Sequence, residues 1–279
     1  MAPSLSERQA ISKDTIARSE SITEEHVSQG ATLDSTFIND RLPRLDPSSC
    51  PDHPPSPVEF VTSDTFTATR NIIKRFPEAA NNKVGVLNLA SDELPGGGWN
   101  ITFKLAQEDS LCYSSTLFET LKPEYYPWPN LGPGSVAGVF SPGIVIFKDD
   151  LNHNCKDLES EERRIIGVIT VAAPRGPKLT SNGKNFANEN DLNDLREKIR
   201  LVYRMAARNG REYMVLGAMG CGTYRCPAQV VAEEMKMILL DPEFRGWFRN
   251  VTFAIRHSNP SNGPGNFGVF EKVFEGTRV

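Results

Sequence analysis

Short apolar runs follow one another from residue 58 onward: Val58–Val61, Val84–Leu89, Val139–Phe147, Ile165–Val171, Tyr213–Leu216 and Val251–Ile255. Each is too short for a buried helix and rich in β-branched or aromatic side chains, so each predicts a buried strand. Between them the apolar positions recur at helical spacing. Thr65–Arg75 follows the first run, Lys104–Leu121 the second, Asp191–Asn209 precedes the fifth, and Pro227–Leu239 comes after it with proline at the first helical position. Strands alternating with helices predict an α/β domain, a central sheet with helices on both faces. Ligands of such folds bind in loops at the carboxyl ends of strands. The glycine-rich stretches of this chain fall there.

The first 57 residues read differently. Residues 6–25 predict a polar helix with a narrow apolar stripe made by Ala10, Ile11, Ile16 and Ala17. Residues 42–57 hold six prolines and predict an extended arm. The expected organisation is an N-terminal extension over 1–57 and one catalytic or binding domain over 58–279.

Composition narrows the class. Of 279 residues, 39% are hydrophobic and 24% charged, enough for a core without disulfides or a structural metal. The formal net charge of −4 comes from residues 1–60, with five Lys/Arg against ten Asp/Glu; the remainder is nearly balanced. A binder that draws its affinity from neutralising nucleic-acid phosphates is therefore not expected. Five cysteines at irregular spacing argue against a secreted disulfide framework; Cys221 and Cys226 could suggest a metal, but no second Cys/His pair has ligand spacing. No apolar run reaches membrane-spanning length and no secretory signal pattern opens the chain. The expectation is an intracellular protein, nuclear or cytoplasmic, monomeric, with no metal, no redox cofactor and no membrane partner.

Two glycine segments and one acidic pair carry the candidate chemistry. A buried strand runs through Asn88 into Gly96-Gly97-Gly98, and after eight residues comes Gln107-Glu108-Asp109. Three glycines read either as a flexible turn or as a backbone that must approach a ligand closely. The second segment, Leu216-Gly-Ala-Met-Gly220-Cys221-Gly222-Thr223-Tyr224-Arg-Cys-Pro227, joins a strand to a helix. Its N–H groups and the following helix dipole suit an anion. It lacks both the Walker and the dinucleotide glycine spacings. Neighbours on a helix point about 100° apart, so Glu108 and Asp109 cannot face each other across one bond; on its own the pair also reads as a solvated face.

Taken together, Gly-Gly-Gly, eight residues and Gln-Glu-Asp, followed by Ser110-Leu-Cys-Tyr-Ser114-Ser115, resemble the signature of the poly(ADP-ribose) glycohydrolases, Gly-Gly-Gly, six to eight residues, then Gln-Glu-Glu. The text is similar to the microbial branch, a macrodomain, through Val84–Leu121, Phe140–Asp150, Leu216–Pro227 and Asn266-Phe267. Glu7–Ile16 is similar to that branch's N-terminal helix. Thr180–Glu189 and the proline-rich stretch read as insertions.

The resemblance implies a macrodomain-like mixed sheet and release of ADP-ribose from poly(ADP-ribose), or from ADP-ribosylated proteins, by hydrolysis of the ribose–ribose bond. It implies Gly96, Gly97 and Gly98 against the distal ribose, Gln107 holding that loop, Glu108 on ribose hydroxyls and position 109 as general acid/base. It places Gly220, Cys221, Gly222, Thr223 and Tyr224 on the diphosphate, Asn88 near the same ribose and Asp64 on the adenine. Asn266 and Phe267 would line the ribose or adenine side, with Phe267 reading equally as core. The chain departs from the family at 109, where aspartate replaces glutamate and draws the carboxyl back by about 1.5 Å. Two alternatives follow: an ADP-ribose reader with little turnover, or a hydrolase of mono-ADP-ribosyl or other ADP-ribose derivatives.

Overall fold

The computed structural model describes residues 2–256 and 265–279. Seven strands form one mixed sheet: β1 (Thr36–Ile38), β2 (Glu59–Val61), β3 (Val84–Leu89), β4 (Gly138–Ile146), β5 (Arg164–Val171), β6 (Tyr213–Leu216) and β7 (Asn250–Ala254). Their order is β1-β4-β5-β3-β6-β7-β2. The block β5-β3-β6-β7-β2 is parallel, and β4 and β1 close one edge antiparallel. The seven α-helices among the described residues are α1 (Leu5–Glu25), α2 (Thr65–Arg75), α3 (Trp99–Thr102), α4 (Gln107–Ser114), α5 (Glu189–Arg208), α6 (Ala228–Leu239) and α7 (Gly265–Val273). None is long and apolar enough to cross a membrane.

The sheet is buried on both faces, as its unbroken apolar strands require. Val84 and Val86 of β3 pack with Phe66 and Ile72 of α2 and Leu111 of α4. Leu87 packs on the other face with residues of α5, α6 and α7. Side chains along a strand alternate, so Asn88 falls on the same face as Val84 and Val86. That parity aims it at α4.

Six predicted strands appear within one residue of their expected ends, and the segment before residue 58 adds the three-residue β1 along β4. Three expectations are corrected. The single helix over Lys104–Leu121 is instead α4 followed by a 3-10 turn at Leu117–Thr120. Ser115 between them is extended, at φ −152°, and bridges Ile146, while the Thr116 N–H donates to the Val145 carbonyl at 3.2 Å. Hydrogen bonding to the neighbouring strand outcompetes helix continuation. Pro227 is the cap before α6, one residue outside the position expected. The buried stripe of α1 is polar: Ser12, Thr15, Ser19 and Thr23 are buried with Ile22, while Ala10 and Ala17 are exposed. Three of these hydroxyls are satisfied, Ser19 and Thr23 on carbonyls four residues back at 2.8 Å and Thr15 on the Tyr113 carbonyl of α4 at 2.9 Å. Satisfied hydroxyls make burial tolerable where bare polar groups would not be.

Candidate active site

Glu108 and Asp109 occupy the first turn of α4, both only 4% exposed. Gln107 fastens this turn to β3: its Oε1 accepts from the Leu89 N–H at 2.9 Å and its Nε2 donates to the Leu87 carbonyl at 2.8 Å. One side-chain amide thus bonds the backbone of β3 just past the last residues it pairs with β6. Asn88 donates to Glu108 Oε1 at 3.0 Å, and the Ser91 N–H donates to Oε2 at 2.8 Å. Burial pushes Glu108 up to about 8 against the pull of those two donors, and Asp109 beside it adds to the rise.

Asp109 is held differently. Its Oδ2 accepts from the Ala106 N–H at 3.0 Å, and its Oδ1 is buried without a partner. Burial raises it to about 6, offset by that N–H and by the positive charge of Lys104. An orphaned buried carboxylate oxygen costs stability unless something else meets it. A proton or a substrate hydroxyl would do so.

The three glycines wrap the acid. Gly96, Gly97 and Gly98 have φ of 59°, 61° and 71°, left-handed values that favour glycine. A Cβ on Gly97 would stand 2.9 Å from Glu108 Oε2, and one on Gly96 only 2.6 Å from the Trp99 ring. The loop is required by its own neighbours.

Across the cleft lies the second glycine segment, leading into α6. Among the described residues the N–H groups of Gly222, Thr223 and Tyr224 have no protein acceptor, and Gly222 has open space where a Cβ would point. Gly220, at φ 72°, is instead crowded by Ala173 and Cys226. The cleft encloses about 530 Å³. It brings together Asp64, Gly97, Gln107, Glu108, Asp109, Gly220, Gly222, Thr223, Tyr224 and Asn266. Asn88, Gly96 and Gly98 lie behind its wall. Cys221 turns away, its thiol on the Met219 carbonyl at 3.4 Å, and Phe267 meets Phe60 edge-on at 6.1 Å. Asp64 caps α2, accepting from Phe66 and Thr67, and its other oxygen pairs with Arg256 at 2.8 Å. Burial raises its pKa against that pairing.

Residues absent from the sequence-based set complete the site. Asp92, 2% exposed, accepts from the Tyr224 hydroxyl at 3.0 Å and from Asn130 at 2.9 Å, and pairs with Arg175 at 3.1 Å. It ties the first loop to the second. Arg175, Ser91, Lys104 and Arg256 all line the cleft. Asp92 and Arg175 each follow the carboxyl end of a buried strand by three or four residues, which is the signal that marks them. The one group among the described residues with metal-like clustering is Asp149, Asp150 and His153, outside the cleft lining. Its members are already occupied, Asp150 by Thr67 and the Asn152 N–H and Asp149 by Arg70.

Comparison with known proteins gives the chain's family. The family model of the microbial-type PARG (poly(ADP-ribose) glycohydrolase) catalytic domain matches residues 8–149. The poly(ADP-ribose) glycohydrolase of Thermomonospora curvata superposes with a TM-score of 0.76 at 27% identity, over 95% of this chain and 98% of that one. Its complex with the inhibitor ADP-HPD gives 0.73 at 26%, over 95% and 98%. The Deinococcus radiodurans enzyme in complex with ADP-ribose gives 0.65 at 30%, over 79% of this chain and 84% of that one. No curated protein matches the chain. From the shared fold, the glycine-loop and acid arrangement and these matches, the chain belongs to the microbial-type poly(ADP-ribose) glycohydrolase family.

Proposed function

We propose that this chain hydrolyses the ribose–ribose O-glycosidic bond of poly(ADP-ribose) and releases ADP-ribose, with Asp109 as general acid/base. The observation that carries the reading is the pairing, within one cleft, of an unpartnered buried carboxylate oxygen at Asp109 with the free N–H groups of residues 222–224. The N–H groups and the start of α6 receive the diphosphate of the terminal unit, where backbone donors and a helix dipole favour an anion. Glu108, aimed by Asn88 and Ser91, takes ribose hydroxyls, and Gly97 lets the ribose approach its carboxylate. Asp64 and Asn266 lie at the adenine side.

Asp109 gives its proton to the departing 2′-oxygen as the C1–O bond breaks and positive charge grows on the ribose. It then takes a proton from the water that adds to C1, and the enzyme is restored. A pKa near 6 leaves enough acid at neutral pH for the first step and ample base for the second. The carboxyl is one carbon shorter than in the family's glutamate, so the ribose must sit deeper or the turnover is lower.

Asp109→Ala tests the assignment. Turnover falls 10²- to 10⁴-fold, roughly 3–5 kcal/mol of barrier, while ADP-ribose affinity stays within a few-fold. A mutant that degrades polymer at the wild-type rate removes Asp109 from the mechanism.

A further inference from the structure

We propose that Lys104 and Leu105 form a subsite for the departing ADP-ribosyl unit, the lysine meeting its phosphates and the leucine its adenosine. The inference rests on the hydrolase reading only for the direction in which that unit leaves. Three cations line the cleft, Lys104, Arg175 and Arg256. Arg175 is committed to Asp92 and Glu93, and Arg256 to Asp64. Lys104 has no hydrogen-bond or ion-pair partner among the described residues, yet its charge reaches Asp109.

The neighbouring side chain strengthens the point. Leu105 also lines the cleft and is 42% exposed. Both residues lie on the short link between α3 and α4, which Phe103 turns at a left-handed φ of 50°. An apolar side chain beside an unpaired cation at a cleft mouth matches an adenosine phosphate. Each unit of the polymer carries its own diphosphate, and the N–H cradle at 222–224 serves the terminal one. The oxygen that Asp109 protonates belongs to the next unit, so that unit's anionic groups lie on the Asp109 side of the cleft. Lys104 is the unpaired cation there.

The test compares one unit with two. In the Asp109→Ala background, where the chain is not cut, affinity is measured for ADP-ribose and for a dimer of ADP-ribose units. Lys104→Ala weakens dimer binding about fivefold and Lys104→Glu more, while ADP-ribose affinity stays within about twofold. Lys104→Arg restores most of the loss, Leu105→Asp reproduces it, and raised salt removes the lysine's share. With Asp109 intact, Lys104→Ala raises KM for polymer more than it lowers kcat. Equal losses for ADP-ribose and dimer place Lys104 on the terminal unit and overturn the proposal, and so does an unchanged dimer affinity. If the dimer still depends on Lys104 while the wild type releases no ADP-ribose, the hydrolase reading falls and the subsite stands.

Discussion

The two glycine segments look alike as text and do opposite things. In the first, Gly96 and Gly97 are crowded by the protein itself, by the Trp99 ring and the Glu108 carboxylate, and their left-handed φ values fix the loop. In the second, Gly222 faces open space, and the N–H groups beside it have no protein partner. The first set of glycines makes room for a buried carboxylate; the second leaves open space in the cleft. A glycine run therefore marks close approach, and only its surroundings say to what. The bland reading of Gly-Gly-Gly as a loose turn fails because the loop packs against Trp99 and Glu108, both nearly or fully buried.

Substitution separates the two. The largest effect is expected at Gly222→Glu, which sends a carboxylate into the N–H cradle. ADP-ribose affinity falls at least about a hundredfold, roughly 3 kcal/mol, through repulsion and lost donors. No protein atom lies within 4 Å of the new Cβ, so the melting temperature hardly moves. Calorimetric titration beside thermal melting checks both halves; unchanged affinity would move the diphosphate elsewhere.

Gly97→Ala should show the reverse balance. A methyl group 2.9 Å from Glu108 Oε2, on a backbone at φ 61°, costs about 1–3 kcal/mol of stability and displaces the carboxylate. Melting drops by several degrees and turnover is lost with it. A Gly97→Ala protein as stable as wild type would mean the loop is not fixed as described.

The acids supply the next contrast. Burial raises both Glu108 and Asp109, to about 8 and about 6, so the folded chain holds their protons to higher pH than the unfolded chain does. Their contribution is fully present below the unfolded pKa, near 4, and is lost as pH rises towards 8. Glu108→Gln should flatten that slope in melting temperature against pH. In the free enzyme the acid step needs protonated Asp109, so kcat/KM on polymer falls as pH climbs above about 6. A stability that rises with pH across this window would contradict the burial argument. Gly222→Ala gives the smallest effect, within about 0.5 kcal/mol of stability, since the added methyl meets nothing.

How far the text of the chain reveals the molecule depends on the kind of signal. The long apolar runs of β3, β4 and β5 announce themselves because both faces of those strands are buried. β1 has three residues, too few for any period, and is a strand only because β4 offers an unpaired edge. α7 carries Gly265 and Gly268, which weaken its helical signal. The break after α4 follows from pairing with β4, which no local pattern contains. At the site, Glu108 and Asp109 stand out through their spacing from the glycines. Asp92 and Arg175 act through a contact across 83 residues of chain, and the one local signal they carry is their place three or four residues past the end of a buried strand.

The most direct measurement is product analysis after incubating the wild-type chain with poly(ADP-ribose)-modified protein. The account predicts that free ADP-ribose accumulates with time as the polymer shortens. Saturable binding of ADP-ribose with intact polymer and no released ADP-ribose would contradict it, and would make this chain a reader of the modification rather than a hydrolase.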